Sequence, residues 1–399
     1  MKQKSEFKEA KIGMLPEGWE EASLSEAINI NPKRELKKGD TAIKVSMDGL
    51  SSFNKKIQYF EISKFSGGSK FVNEDTLMAR ITPCLENGKT VFVDILKDNE
   101  VGFGSTEFIV LSGKQGKTTA QFVYYLSISP QLRKEAIKSM TGTSGRQRVQ
   151  NDLLAEIRIN IPSLPEQLII AKILSDLDSK IELNQRMNKT LEAIGQAIFN
   201  NWFNVDDIPD NWETKPLDKI AEFLNGLPLQ KYPAVEGEEY LPVIKIRELR
   251  NGISEQTDKA NLEIPEAYLI EDGDVLFSWS GTLEVEIWTN GQGALNQHLF
   301  KVSSEDYPKW FYYYWTKYHL KRFRHIAKGK ATTMGHIQRH NLSESNTIVP
   351  DKKTLGDMDK MMSPLVEKII LLRIESRRLS AIRDSLLPRL MSGRIRVPV

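Results

Sequence analysis

Side chains with reactive potential sit at a few points along the chain, and each set misses a residue its chemistry needs. Pro83-Cys84-Leu85-Glu86-Asn87-Gly88-Lys89-Thr90 ends like a phosphate-binding loop. Such a loop cradles phosphates with backbone N–H groups and begins on glycine. Pro83 stands in that place and has no N–H to donate. The stretch 111–118 fails in the same way, with Leu111 where glycine belongs. Both read as strand–turn segments. His336 and His340 share a helical face at a spacing of four, but no glutamate follows His336, so the zinc-protease pattern does not form. A surface or polar-contact role suits them better. All five histidines lie in the second half of the chain. Gly102-Phe103-Gly104 lacks the third glycine of a dinucleotide turn. Amino-directed methyltransferases hold the base amine with an Asp/Asn-Pro-Pro-aromatic loop. This chain has no Pro-Pro dipeptide, and Asn31-Pro32-Lys33 lacks the aromatic. Pro350-Asp351 is not surrounded by the acidic and basic residues of a nuclease core. The expectation is a chain that performs no chemistry and binds no cofactor or metal itself.

Polar groups suited to DNA are easier to find. The stretch 31–44 is loop-like and carries Lys33, Arg34, Lys37, Lys38 and Lys44. Its plain alternative is a solvated loop. Thr141-Gly142-Thr143-Ser144-Gly145-Arg146-Gln147-Arg148 joins glycines and hydroxyls to Arg and Gln. Glycine lets backbone N–H groups approach phosphates, and Arg and Gln pair bidentately with guanine and adenine edges. The second half offers Lys328-Gly329-Lys330-Ala331-Thr332-Thr333-Met334-Gly335-His336, similar in kind and different in detail. A flexible loop after a helix is the competing reading of both. Val243-Ile244-Lys245-Ile246-Arg247 reads as a strand with Lys245 and Arg247 on one face, contacting DNA or forming surface ion pairs. Arg80, Ser278 and Trp279, each at or near the end of a strand-like run, complete the candidate set. The aromatic clusters around Phe122-Tyr124-Tyr125 and from Trp310 to Trp315 have helical spacing, which favours core over stacking platforms.

The elements that must position these groups repeat at about half the chain length. Leu15-Pro16-Glu17-Gly18-Trp19-Glu20 returns as Ile208-Pro209-Asp210-Asn211-Trp212-Glu213, and Phe122-Val123-Tyr124-Tyr125-Leu126 as Phe311-Tyr312-Tyr313-Tyr314-Trp315. Asp75-Thr76-Leu77-Met78 matches Asp274-Val275-Leu276-Phe277. Thr106-Glu107-Phe108-Ile109 likewise matches Gln297-His298-Leu299-Phe300. One helix is expected over 119–138, capped by Thr118 or Thr119, with its counterpart over 310–324. Ile161-Pro162 and Val349-Pro350 each open a long amphipathic stretch. Leu174, Leu177, Ile181, Leu191, Ile198 and Trp202 recur with coiled-coil spacing, and Asn184 and Asn188 fall on the same seam. Met358, Met362, Leu365, Ile369, Leu372, Leu379 and Leu386 form a second seam, with Pro364 expected to kink or delay it. A helix of this reach is on the order of 55–60 Å long and needs a partner. Two matching seams imply an antiparallel pair within the chain. Intermolecular pairing is the alternative that periodicity leaves open.

Composition sets the outer bounds. At 399 residues the chain is too long for one ordinary domain, and 55 basic residues against 53 acidic ones make any basic surface local. Cys84 is the only cysteine, which excludes an intramolecular disulfide and a cysteine zinc site. There is no apolar leader over residues 1–11 and no run of about 18 apolar residues. A cytoplasmic protein without a membrane span is expected. The expected fold is α/β (α+β): two similar globular domains of mixed strands and helices, separated by two long antiparallel coiled-coil helices in a pseudo-twofold arrangement. The expected boundaries are 1–161 and 207–350 for the globular domains, and 162–206 and 351–399 for the helices.

In this order the features resemble the specificity subunit of type I restriction–modification enzymes. The resemblance covers essentially the whole chain. It rests on the Leu15-Pro16-x-x-Trp19 opening, the Gly142-Thr143-Ser144-Gly145-Arg146-Gln147 loop and Ile161-Pro162-Ser163-Leu164-Pro165-Glu166-Gln167 before a long helix. Gly273-Asp274-Val275-Leu276-Phe277-Ser278-Trp279-Ser280-Gly281-Thr282 and Ala294-Leu295-Asn296-Gln297-His298-Leu299-Phe300 add to it. The second repeat departs from the pattern, with Val349-Pro350-Asp351-Lys352-Lys353 and no Pro-Glu-Gln. The resemblance implies two target recognition domains, each reading half of a bipartite double-stranded DNA site. It implies helices that act as a spacer and dock methyltransferase subunits, two in number by the family's pattern. S-adenosylmethionine, Mg2+ and ATP would belong to the methyltransferase and restriction/translocase partners. The seven arginines from Arg373 to Arg396 would serve docking or DNA phosphates, or form a solvated helix face. The competing class is a non-catalytic coiled-coil scaffold with two binding heads.

Overall fold

Two units divide the chain: Met1–Lys180 with Leu379–Val399, and Ile181–Arg378. The computed structural model describes residues 7–10, 13–143, 145–204, 208–329 and 335–398.

The first unit begins with strands β1 (Phe7–Ala10), β2 (Gly13–Pro16) and β3 (Glu20–Ser23) and the short helix α1 (Leu24–Ala27). Next come β4 (Ile28–Ile30), β5 (Thr41–Val45), β6 (Glu61–Lys64), β7 (Ser69–Phe71) and β8 (Thr76–Ala79). They are followed by β9 (Thr90–Phe92), β10 (Gly102–Gly104) and β11 (Phe108–Gly113). Then come α2 (Ala120–Ile128), α3 (Pro130–Lys138), β12 (Met140–Thr141), β13 (Arg148–Val149), α4 (Asn151–Glu156), β14 (Arg158–Ile161) and the start of α5 (Leu164–Trp202). One sheet is antiparallel in the order β4-β11-β8-β9. The other runs β6-β5-β10-β7, with β10 parallel to β5.

The period of two along a strand decides the layers. Leu77 and Val110 meet Val45 and Phe71 of the second sheet. Their neighbours Met78, Ile109 and Leu111 face the other way, onto Phe122 of α2 and Ile170 and Leu174 of α5. Strand β8 is therefore buried along its whole length. The single helix expected over 119–138 is two helices. Thr119 caps α2 as expected, but Pro130 cannot continue a helix, and Ser129 ends α2 and caps α3.

The second unit contains β15 (Glu213–Pro216), β16 (Glu222–Asn225), β17 (Leu241–Ile244), α6 (Ile246–Asn251), β18 (Lys259–Ala260), β19 (Leu269–Ile270) and β20 (Val275–Ser278). It continues with β21 (Val285–Ile287), β22 (Gly293–Leu295), β23 (Leu299–Ser303), α7 (Lys309–Gly329), α8 (Arg339–Ser343), β24 (Asn346–Val349) and α9 (Lys352–Met391). Its sheets run β16-β23-β20-β21 and β18-β17-β22-β19, with β22 parallel to β17. Adding twelve to each strand number of the two first-unit sheets reproduces these orders. The internal repeat is thus a repeat of topology. Helix α7 has no internal proline and continues where its counterpart breaks.

Each unit also holds a stretch of both long helices, paired antiparallel. In the second unit Ile181, Asn184, Asn188 and Phe199 of α5 are buried, as are Met358, Met362, Ile369 and Leu372 of α9. Asn184 pairs with Glu375, while Gly195 lies against Leu365. In the first unit Ile170 and Leu174 share a core with Leu387 and Leu390, and Asp178 pairs with Arg383 at 2.8 Å. The pairing is within the chain. Pro364 neither interrupts α9 nor delays its start, because the helix runs unbroken from Lys352 to Met391. Its start is fixed by Asp351, whose Oδ1 accepts the N–H groups of Lys353 and Thr354.

The start of α5 explains its sequence. Gln167, wholly buried, donates to the carbonyls of Lys117 and Pro162 and accepts the N–H of Thr119, the cap of α2. Buried Glu166 accepts from Trp19 Nε1 and from Arg396 at 2.8 Å. Two polar side chains thereby lock three separated segments. Among the described residues no helix is long and apolar enough to cross a membrane.

Candidate nucleic-acid interface

In the first unit the glycine-rich stretch is a hairpin loop held by the short ladder β12–β13. Gly142 (φ 134°) and Gly145 (φ 78°) adopt backbone conformations that side-chain-bearing residues avoid. Thr143 is exposed, and its carbonyl accepts the N–H of Arg146. Arg146 and Gln147 are exposed, and their side chains make no hydrogen bond among the described residues. Ser144 lies outside the described residues. Arg80 anchors the loop: its Nη2 donates to the Val149 carbonyl at 2.8 Å, and its own carbonyl accepts the Val149 N–H.

Arg148 is not a free base reader. Its Nε and Nη2 donate to the Glu107 carboxylate at 2.7–3.0 Å, and this bonding raises its pKa. Arg34 is likewise committed, 3.0 Å from Asp75. Asp75 is only 1% exposed, and burial pushes its carboxyl pKa up while Val72 N–H and Arg34 pull it down. Lys33, Lys37 and Lys38 remain exposed. Lys33, Arg34, Lys70 and Arg80 line one open cleft of about 650 Å³ with Asn31 and Thr106. The structure therefore brings the 31–38 loop and the base of the Arg146 hairpin to one basic surface, joined through Arg80.

In the second unit several expectations change. Strand β17 ends at Ile244, so Lys245 and Arg247 do not share a strand face. Lys245 precedes α6 and pairs with Asp258, whose carboxyl pKa is lowered by that bond. Arg247 lies in α6 and is held by Glu248 and the Gln256 carbonyl, both at 2.7 Å. Ser278 is wholly buried and donates its hydroxyl to the Thr282 carbonyl, so it presents nothing to a ligand. Trp279 is half-buried, with Nε1 donating to Asn225 Oδ1 at 2.8 Å. His336 approaches its ring edge-on, with ring centres 6.4 Å apart. Lys328 is exposed beside a cleft of about 400 Å³ that also contains Arg324 and Thr282. Lys330, Thr332 and Thr333 lie outside the described residues.

Sequence reasoning passed over Glu107, His298 and Asn225, which hold Arg148 and Trp279 in place. Only the strand alignment of the two halves hinted at Glu107 and His298. The arginines of α9 and beyond are also largely committed. Arg373 pairs with Glu192, Arg377 with Asp272, Arg383 with Asp178 and Arg396 with Glu166. Arg378, Arg389 and Arg394 are exposed, as is Arg396 despite its pairing. The aromatic clusters are core, with Phe122, Tyr125, Trp310 and Phe311 essentially without exposure.

Residues 16–193 and 209–380 each match the type I restriction modification DNA specificity domain. The chain belongs to that family. The two matched stretches take in both candidate surfaces and most of both long helices. The MjaIX type I restriction enzyme specificity subunit of Methanocaldococcus jannaschii is 25% identical, over 98% of this chain and 97% of its own length. The HindI specificity subunit of Haemophilus influenzae is 24% identical over 94% of this chain and 99% of its own. A solved type I restriction–modification S subunit from M. genitalium shares the fold, with TM-score 0.59 and 15% identity over 94% of this chain and 96% of that one. Membership of the family makes this chain a non-catalytic component for DNA sequence recognition in a type I restriction–modification system.

Proposed function

We propose that this chain reads a bipartite, asymmetric double-stranded DNA site, one half-site per unit. The observation that carries the reading is two units of one strand order that present different exposed and partly exposed side chains. Lys33, Lys37 and Lys38 would meet phosphates, which orient the protein without conveying sequence. Arg146 and Gln147 carry the right groups for base edges in the major groove. In the second unit Trp279, Lys328, His336 and the stretch 330–334 are the candidates for the corresponding work.

The long helices would serve as spacer and as docking surface for methyltransferase subunits, two of them by the symmetry of the repeat. Those partners would bring S-adenosylmethionine and methylate adenine N6. A restriction/translocase partner would bring ATP and Mg2+. The setting proposed for this assembly is the cytoplasm. Base-resolution mapping of N6-methyladenine in cells with and without the gene tests the reading. A bipartite motif methylated only in its presence is expected, and identical methylomes would overturn it. A coiled-coil scaffold with two protein-binding heads would show no salt-dependent affinity for duplex DNA.

A further inference from the structure

The base of the recognition loop is built by the same backbone bonds in both units. In the first, the Arg80 N–H donates to the Glu107 carbonyl at 2.9 Å, the Val149 N–H to the Arg80 carbonyl at 2.9 Å, and Ile81 bridges Arg148. In the second, the Trp279 N–H donates to the His298 carbonyl at 3.4 Å, the Ile337 N–H to the Trp279 carbonyl at 3.0 Å, and Ser280 bridges His336. Arg80 therefore corresponds to Trp279, Glu107 to His298 and Arg148 to His336. The frame is kept, and all three side chains are exchanged.

The exchange changes what the position offers. In the first unit Arg148 and Glu107 satisfy each other bidentately, and Arg80 is tied to the Val149 carbonyl. That slot is closed by its own charges. In the second unit the Trp279 ring lies 5.9 Å from His298 and 6.4 Å from His336, over Phe300 at 5.9 Å. Asn225 holds its Nε1, and Ser280 Oγ is 3.0 Å from His298 Nδ1. All three side chains are only partly buried. A fixed, half-exposed indole offers large contact area at little entropic cost.

We propose that these three positions form a base-reading slot in the second unit, where Trp279, flanked by His298 and His336, contacts the edge of one base pair in its half-site. The contact is apolar and imidazole-based, the kind that favours a thymine methyl group. In the first unit the closed slot leaves base reading to Arg146 and Gln147 on the loop above it. This inference rests on the half-site reading given under Proposed function.

The test uses the full chain co-expressed with its partner subunits, with base-resolution methylation mapping as the readout. Trp279→Ala and His336→Ala are each expected to relax discrimination at one base position of one half-site by about tenfold. Trp279→Phe retains part of it, and Arg146→Ala relaxes the other half-site. Unchanged recognition with Trp279→Ala and His336→Ala overturns the proposal, as does equal loss at both half-sites, which marks a packing role. Where Trp279→Ala does not accumulate, Trp279→Phe and His336→Ala decide: recognition unchanged in both overturns it. Absence of any bipartite motif with the unaltered chain would instead defeat the half-site reading itself.

Discussion

Asn184 donates from Nδ2 to Oε2 of Glu375, 2.8 Å away, in a helix seam that is mainly apolar apart from Asn188. Asn184 has no exposed surface, and its Oδ1 is buried without a hydrogen-bond partner among the described residues. A buried amide of this kind costs stability relative to leucine and penalises any register that moves it away from its acceptor. Exchanging both partners, Asn184→Leu with Glu375→Leu, is expected to raise the melting temperature by a few degrees. The same variant should populate larger species in light scattering, because the seam no longer distinguishes its partner. A lower melting point together with an unaltered mass would refute the register role.

Gly195 occupies a seam position of α5 where a side chain has no room. A Cβ there would lie 2.2 Å from Tyr314 Oη and 3.2 Å from Leu365 Cδ2. Tyr314 is 2% exposed and stacked on Phe199, so it cannot step aside. Helix propensity alone would make Gly195→Ala stabilising by about 1 kcal/mol. The clash should reverse that sign, and thermal melts should show a destabilised protein.

Arg146→Ala removes a free guanidinium from a loop whose backbone is held elsewhere, by Arg80, Thr82 and the β12–β13 ladder. Folding stability should be unchanged within about 0.5 kcal/mol. Competition binding with oligonucleotides altered in one half-site at a time should show lost discrimination in one half-site only. Uniform weakening on all sequences, with a shallower salt slope, would assign Arg146 to a phosphate instead.

His319 is 8% exposed in α7 and donates from Nε2 to the Asn346 carbonyl at 2.9 Å. Burial lowers its pKa to about 4, against about 6.5 in an unfolded chain. Between those values the unfolded state binds more protons than the folded state, so stability is full above pH 6.5 and falls as pH drops towards 4. The loss should reach about 2 kcal/mol at pH 5. Urea midpoints at pH 7.5 and pH 5 check this, with His319→Gln expected to lose that part of the slope.

Deleting one heptad from each long helix, in paired positions, keeps the seam in phase while shortening it by about 10 Å. Methylation mapping should then report the same half-sites with a shorter gap. An unchanged gap would show that the helices do not set the spacing.

Much of this protein is legible in its sequence. The half-length repeat, the helix seams and the buried strands follow from apolar periodicity, which is a local property of the chain. Thr119 as a cap and Asn184 on the seam were readable for the same reason. The break at Pro130 was equally written there, because proline removes a helix hydrogen bond whatever surrounds it. What the residue order could not decide is which polar groups remain free. Arg34, Arg148 and Lys245 look free in sequence, but each meets a carboxylate brought by folding, Asp75, Glu107 and Asp258, while Arg247 is held by its neighbour Glu248 and by the Gln256 carbonyl. Ser278 is removed from the surface by the layer above it, whereas Arg146 and Gln147 stay open because two glycines lift their loop clear. The pairing of Arg80 with Trp279 and of Glu107 with His298 follows the strand alignment of the two halves, but that of Arg148 with His336 does not, because the two loops differ in length. Only the tertiary structure decides it, through backbone bonds to Arg80 and Trp279 from segments tens of residues away.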